Sequence, residues 1–331
     1  MINFSCLYRR FSNLYWPIQS ICDENEKILN IAFPDSSVLY FISSFHSKDN
    51  IILQGKIPKT LHLWNIGFYD SEGKIFHSIH DKSFPSQKFT ISISEFIHES
   101  SSTHVRSPKN SMFCVVLRFY LSKETLPIIP SFLPEIIVNK KKIKTLPYET
   151  RIKYSKRVES FFTSFFAKKN YPIDVSYNIH EFFLPPKQQV DMFFPNPHAE
   201  YLVVFPSKHN VLKVEGSIPS NIGFQNDSLR YLGFMTCNLL TTSTDESLSF
   251  DELPKKYTLY VAFSQKNAER YGFNPNEDHK LLLWNLQTNK NPILVFRIVS
   301  IFKYFFSSSY PISNSVLKTM IPSFLPKVTA F

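Results

Sequence analysis

Phe33-Pro34-Asp35, followed by Tyr40 and by Gly55-Lys56-Ile57-Pro58, returns later in the chain as Phe194-Pro195-Asn196, Tyr201 and Gly216-Ser217-Ile218-Pro219. Every matched pair lies 161 residues apart. Further on the separation becomes 168: Leu61 matches Leu229, Asp70 matches Asn238, and Lys88-Phe89-Thr90-Ile91 matches Lys256-Tyr257-Thr258-Leu259. The hexapeptide Ile129-Pro130-Ser131-Phe132-Leu133-Pro134 recurs intact from Ile321 to Pro326, 192 residues on. Loop insertions into one of two duplicated copies produce collinear matches with a growing separation. The period is too long for a solenoid, so the chain reads as a tandem pair of domains.

Within each copy the sequence alternates short apolar runs with turn residues. The runs at residues 38–42, 51–54, 63–66, 89–93 and 113–121 fill the first copy, and those at 201–205, 212–215, 231–236, 257–263 and 281–286 fill the second. They are rich in β-branched and aromatic residues and bounded by Pro, Ser, Asn and Asp, which is strand chemistry. Several strands per copy without interleaved helices predict an all-β chain: two homologous antiparallel β-sandwich or jelly-roll-like domains. Asp70-Ser71-Glu72-Gly73 reads as a hairpin loop with glycine at a positive-φ position. Gly55 and Gly216 read as a shared bulge or turn. The expected organisation is an arm (1–30), a first sandwich (31–138), a basic linker with an amphipathic helix (139–170) and a second sandwich (171–331).

Composition narrows the class. The chain has 331 residues, 43% apolar and 19% charged, enough for two ordinary cores and too apolar for disorder. It holds 33 Phe against 7 Gly and 6 Ala, the imprint of an AT-rich genome, so aromatic abundance is no argument for binding. Cys6, Cys22, Cys114 and Cys237 have no CxxC spacing and do not repeat between copies, which predicts free thiols in a reducing compartment. Arg9 and Arg10 are followed by no apolar core of a secretory leader. The best apolar run, residues 293–306, spans 14 residues and contains Arg297 and Lys303, too short and too charged for a transmembrane helix. The expectation is a soluble, intracellular protein.

The repeat resembles a family of uncharacterised two-copy proteins known mainly from bacteria. Its punctuation is a Pro-Asp/Asn-Pro-x-x-x-Tyr opening, a Gly-x-x-Pro turn, an Arg-Tyr-x-Ser strand ending in Tyr-Asp, and a closing Leu-Leu-x-Arg strand. In the first copy Pro34 to Tyr40, Gly55 to Pro58, Leu63 to Asp70 and Val116-Leu117-Arg118-Phe119-Tyr120 match it. In the second, Pro195-Asn196-Pro197 to Tyr201, Leu229-Arg230-Tyr231 to Asn238, Asn274-Pro275 and Leu281 to Leu286 do so. The opening-strand arginine is Arg230 in the second copy and His62 in the first. The closing-strand arginine is Arg118 in the first copy, and Trp284 or, with a larger gap, Arg297 aligns with it in the second. The resemblance implies a pair of jelly-roll-like sandwiches and no settled activity.

Candidate chemistry is sparse. His77-Ser78-Ile79-His80-Asp81 puts two imidazoles at i and i+3, which on a strand face opposite ways. His98-Glu99 with His104 lacks the i, i+4 spacing of a zinc-protease helix. No His-x-His pair, Gly-x-Ser-x-Gly elbow or Gly-rich phosphate loop occurs. No metal or cofactor is therefore expected, and whether the chain is an enzyme stays open. Arg118, inside an apolar strand, must find a carboxylate partner, for which Asp70 and Asp81 are candidates. Arg118 and Asp70, with Arg230 and Asn238 as counterparts, are the candidate ligand site; turn capping is the competing role for Asp70 and Asn238.

The linker carries the charge. Residues 139–170 hold ten Lys or Arg against Glu149 and Glu159, a net of +8 in a chain of +10. Tyr154, Val158, Phe161, Phe162, Phe165 and Phe166 recur at helical spacing, with Lys156 and Arg157 on another face. Packing of that apolar face, or contact of Phe161, Phe162, Phe165, Phe166, Lys156 and Arg157 with an anionic membrane surface or protein partner, are the two readings. Nucleic acid fits poorly because charge and aromatics are segregated by face. A second short helix is expected around residues 301–306. The leading reading is a non-catalytic binding or assembly protein whose partner is another protein. The alternatives are an enzyme acting on a carbohydrate or small anionic ligand, and a peripheral membrane protein.

Overall fold

The computed structural model describes residues 4–22, 27–30, 34–58, 61–84, 86–97, 99–121, 132–166, 181–185, 196–206, 211–220, 222, 229–285, 287, 289, 291–300, 317–319, 321 and 325–331. Strand makes up 47% and helix 15%, the all-β sandwich that the sequence predicts. The chain forms two compact units. The first holds Met1–Leu29 and Val38–Glu159 together with residues 196–197. The second holds His198–Phe331 together with Asn30 and residues 34–37.

The first unit opens with helix α1 (Ser5–Phe11) and short strands β1 (Ile18–Gln19), β2 (Ile21–Cys22) and β3 (Lys27–Ile28). Then come β4 (Val38–His46), β5 (Ile51–Lys56), β6 (Leu63–Tyr69), β7 (Ile75–His80), β8 (Lys88–Ser94), β9 (His104–Arg106), β10 (Met112–Tyr120), β11 (Glu135–Val138) and β12 (Lys141–Lys142). One sheet has the order β1-β4-β10-β6-β7, the other β12-β11-β5-β8-β9. Central β10 is buried along its whole length, which is why it is a near-continuous apolar run interrupted by Arg118. In β8, by contrast, Phe89, Ile91 and Ile93 point inward while Lys88 and Thr90 face solvent. The core joins Phe41, Phe45, Trp64, Ile91 and Leu117 to Trp16 of the arm.

Helix α2 (Tyr148–Phe166) follows. In its first half Ser155 and Val158 are buried, and Ser155 Oγ accepts the Gln19 N–H at 2.9 Å. Tyr154 packs edge-on against Phe11 at 5.3 Å between ring centroids. The amphipathic helix is therefore present, and the N-terminal arm covers the buried face of that half.

The second unit contains β13 (Ala199–Val204), β14 (Val211–Ser217), β15 (Leu229–Asn238), β16 (Thr244–Ser249), β17 (Lys256–Ala262), α3 (Gln265–Arg270), β18 (His279–Leu283), β19 (Pro292–Ser300) and β20 (Lys327–Ala330). Its sheets run β13-β19-β15-β16 and β18-β17-β14-β20. Apart from β1 and β12, this is the strand order of the first unit, element for element. Among the described residues the strand pairs are antiparallel except two, β8 with β9 and β17 with β18, which occupy corresponding places.

Several local expectations change. Gly55 and Gly216 are not bulges: they pair in register with Phe89 and Tyr257. The aromatic ring of the partner strand lies over each glycine, and an added Cβ on Gly55 would come within 3.2 Å of Phe89 Cζ. Strand β19, which the sequence offers only through the larger-gap alignment of Arg297, takes the central place in its sheet, in place of the closing strand expected at 281–286. The helix expected at 301–306 lies outside the described residues. The Asp70 hairpin holds, with Gly73 at φ +79°.

Candidate functional site

Each unit buries an arginine at a corresponding position. Arg118 on β10 stands in register with Tyr40 on β4 and Asn65 on β6. Arg297 on β19 stands in register with Tyr201 on β13 and Gly233 on β15. The register settles the alignment left open by sequence: Arg297, not Trp284 or Arg230, is the counterpart of Arg118. Arg230 is instead the extra residue where the β15–β19 register shifts, and it too is buried.

In the first unit Arg118 Nη2 donates to the Tyr69 hydroxyl at 2.9 Å. The guanidinium carbon lies 5.7 Å from the Tyr69 ring centroid and 5.8 Å from that of Tyr40, within cation–π range. Tyr69 reaches it by lying along its own strand over Gly67, where any Cβ would come within 2.5 Å of the phenol oxygen. Nearby, Asn196 Nδ2 donates to the Tyr120 hydroxyl at 2.7 Å and Asn65 Nδ2 donates to Asn196 Oδ1 at 3.2 Å. Burial works against the Arg118 charge, yet the phenol oxygens of Tyr69, Tyr120 and Tyr40 hold its pKa above the ordinary value.

The second unit uses a carboxylate. Arg297 Nη1 lies 3.5 Å from Asp35 Oδ2, and the Tyr231 hydroxyl donates to the same oxygen at 2.7 Å. The guanidinium sits 5.0 Å from the Tyr201 ring centroid. Tyr231 lies over Gly233, whose added Cβ would meet its hydroxyl at 2.7 Å. Burial, then the Asp35 charge, lifts the Tyr231 pKa well above the ordinary phenol range. Asp35 and Asn196 are matched residues of the repeated opening, and each completes the arginine cluster of the unit built mainly from the other copy's sequence.

The sequence-derived candidates scatter. Asp70 does not emerge as the hydrogen-bond partner of Arg118: it caps its turn, Oδ1 accepting the N–H groups of Glu72 at 2.8 Å and Lys74 at 3.0 Å. Asn238 does the same for Leu240 at 2.9 Å and Thr241 at 3.2 Å. His77 Nε2 lies 3.2 Å from the Ser101 carbonyl, and burial pushes its pKa down. His80 Nδ1 is 4.0 Å from Asp81 Oδ1. Among the described residues no three His, Cys, Asp or Glu side chains group as a metal site. Lys156 and Arg157 are exposed, and Phe161 is 47% exposed, so it is not part of the packed face. The side chains of Phe162, Phe165 and Phe166 lie outside the described set.

What sequence reasoning missed is Asp35, Asn196, Tyr40, Tyr201 and Arg297 as one recurring constellation. The signal was present, since the opening motif repeats at these positions. Arg118 is only 2% exposed and Asp35 and Arg297 are at 0%, so the charged groups of both clusters are internal, while Tyr40 and Tyr201 over them are half-buried.

No family model and no curated protein matches the chain. Among solved structures it is similar to an uncharacterised protein from Burkholderia cenocepacia, with 12% identity, a TM-score of 0.55, and coverage of 98% of this chain and 84% of that one. A Vibrio parahaemolyticus protein aligns at 9% identity and a TM-score of 0.49, covering 90% of each chain. The first likeness establishes a shared fold. It carries no activity with it.

Proposed function

We infer that the chain is a non-catalytic binding or assembly protein made from a duplicated β-sandwich. The observation that supports this reading is the fate of the strongest polar candidates. Arg118 and Arg297 are spent inside the sandwiches, and Asp70 and Asn238 hold turns. A retained active site would keep the same chemistry in both copies, whereas here Asn196 stands in one cluster and Asp35 in the other. The matching strand orders and the corresponding Arg–Tyr registers support descent from one duplicated domain. Unbridged Cys6, Cys114 and Cys237 fit a reducing, intracellular setting. Native mass spectrometry of protein purified from its source tests the reading. A stoichiometric macromolecular partner without a small ligand is the expected result. A co-purifying metal or small metabolite would overturn it in favour of an enzyme or ligand carrier.

A further inference from the structure

We propose that the first unit docks on an anionic lipid surface through a basic face made by the β11–β12 hairpin and the first half of α2. This goes beyond the non-catalytic binding reading by adding a lipid surface to the macromolecular partner expected there. Lys140, Lys141 and Lys144 are exposed in and after the hairpin, and Lys153, Lys156 and Arg157 are exposed on the helix. At 3.6 residues per turn the three helical charges fall within an arc of roughly 100°. Ser155 and Val158, both buried, lie on the opposite arc. Docking of that side on the arm therefore turns the basic side outward.

The arm also brings hairpin and helix to one place. Tyr15 donates its hydroxyl to the Leu133 carbonyl at 3.4 Å, and Trp16 Nε1 donates to that of Pro134 at 2.9 Å, just before β11. The same Tyr15 feels the charges of both Glu135, at the hairpin base, and Arg151, in the first turn of α2. Of the nearby acidic groups, Glu135 pairs with Lys142 and Asp49 accepts from Asn139 at 2.8 Å, while Glu149, exposed within the arc of the helical charges, offsets one of them.

Lysine predominates throughout the chain, 28 Lys to 9 Arg, so the partner follows from the arrangement and not from the residue type. Nucleic-acid recognition interleaves charge with stacked aromatics, and within the arc of Lys153, Lys156 and Arg157 the helix carries no aromatic residue. A lipid headgroup layer needs only point charges near its surface, each worth about fivefold in partitioning.

The test is sedimentation of the full-length protein with phosphatidylcholine vesicles containing phosphatidylserine, against phosphatidylcholine alone. Binding should require phosphatidylserine and weaken as salt is raised. Replacing Lys153, Lys156 and Arg157 together by Gln should weaken it about a hundredfold, and Lys140→Gln with Lys141→Gln about twenty-fivefold. All five positions are exposed, and an unchanged circular dichroism spectrum verifies folding. Absence of binding, binding indifferent to phosphatidylserine, or binding unmoved by the triple variant overturns the proposal. So does retention on an acidic polypeptide or duplex DNA without vesicle binding. None of these outcomes alters the small-ligand result that decides the broader reading.

Discussion

A guanidinium held out of water needs its charge answered by neighbouring groups, because an uncompensated buried ion costs several kcal/mol. The first unit surrounds Arg118 with phenols, and the second gives Arg297 the Asp35 carboxylate. Removing one partner of a buried pair is far more damaging than never having had it, so Asp35→Asn should lower unfolding free energy by about 3–5 kcal/mol. The converse change, Asn196→Asp, should cost less, since Tyr120 and Asn65 can donate to a carboxylate there. Denaturant titration of both variants checks this, and equal losses would refute the asymmetry. A second residue-scale prediction concerns Cys237. Burial lifts its thiol from 9.0 to about 12, with the Thr244 hydroxyl and the Arg297 charge acting the other way. Below pH 9.0 both folded and unfolded chains keep the proton; above it only the folded chain does. Stability therefore falls as pH rises from 9.0 towards about 12, by up to about 1.4 kcal/mol per pH unit. Buried Cys114 and Tyr231, also raised, add slopes of the same sign. Unfolding free energies measured up to about pH 11 should decline less steeply in Cys237→Val than in the parent.

At the level of elements, strands with clear alternation or flanking turn residues were legible in the sequence, and β19 was not. Its residues run from Pro292 into further apolar sequence, so nothing marked where a buried strand ended, and periodicity alone cannot separate such a run from a helix. Missing β19 moved the closing strand onto 281–286 and hid the partner of Tyr201. The glycines misled for a related reason: a glycine in a strand marks either a bulge or a close approach, and here the approaching group is a ring from the next strand. Helix α2 was readable from spacing, but its buried side could be fixed only once the arm was placed. That docking rests on Ser155, whose hydroxyl satisfies the buried Gln19 N–H. Ser155→Val should leave this donor unanswered and cost about 1–3 kcal/mol, whereas Ser160→Val, at an exposed position of the same helix, should change stability by less than about 0.5 kcal/mol. Thermal unfolding of the two variants separates docking from helix propensity, because both make the same substitution.

At the scale of the molecule, the most repeated stretch of sequence turns out to cross over. Asp35 opens the first copy and completes the arginine cluster of the second unit; Asn196 opens the second copy and completes that of the first. Linear comparison finds that the motif recurs, because the same backbone and the same arginine select it twice. It cannot find which arginine each copy serves, since that depends on the path of the chain through space. Further bonds anchor the crossing segment: Asn30 and Thr244 exchange two hydrogen bonds, at 2.7 and 2.9 Å, and the Ser36 N–H donates to Ser247 Oγ at 2.9 Å. The damage from a substitution should therefore follow the unit and not the sequence neighbourhood. In Asp35→Asn, amide hydrogen exchange should accelerate in β13, β15 and β19, some 160 residues or more away in sequence, while β4, only a few residues downstream, keeps its protection. In Asn196→Ala the pattern should invert, with faster exchange in β6 and β10 and little change in β13. Acceleration confined to strands adjacent in sequence would show that each opening segment serves its own copy, and the crossed assignment would fall.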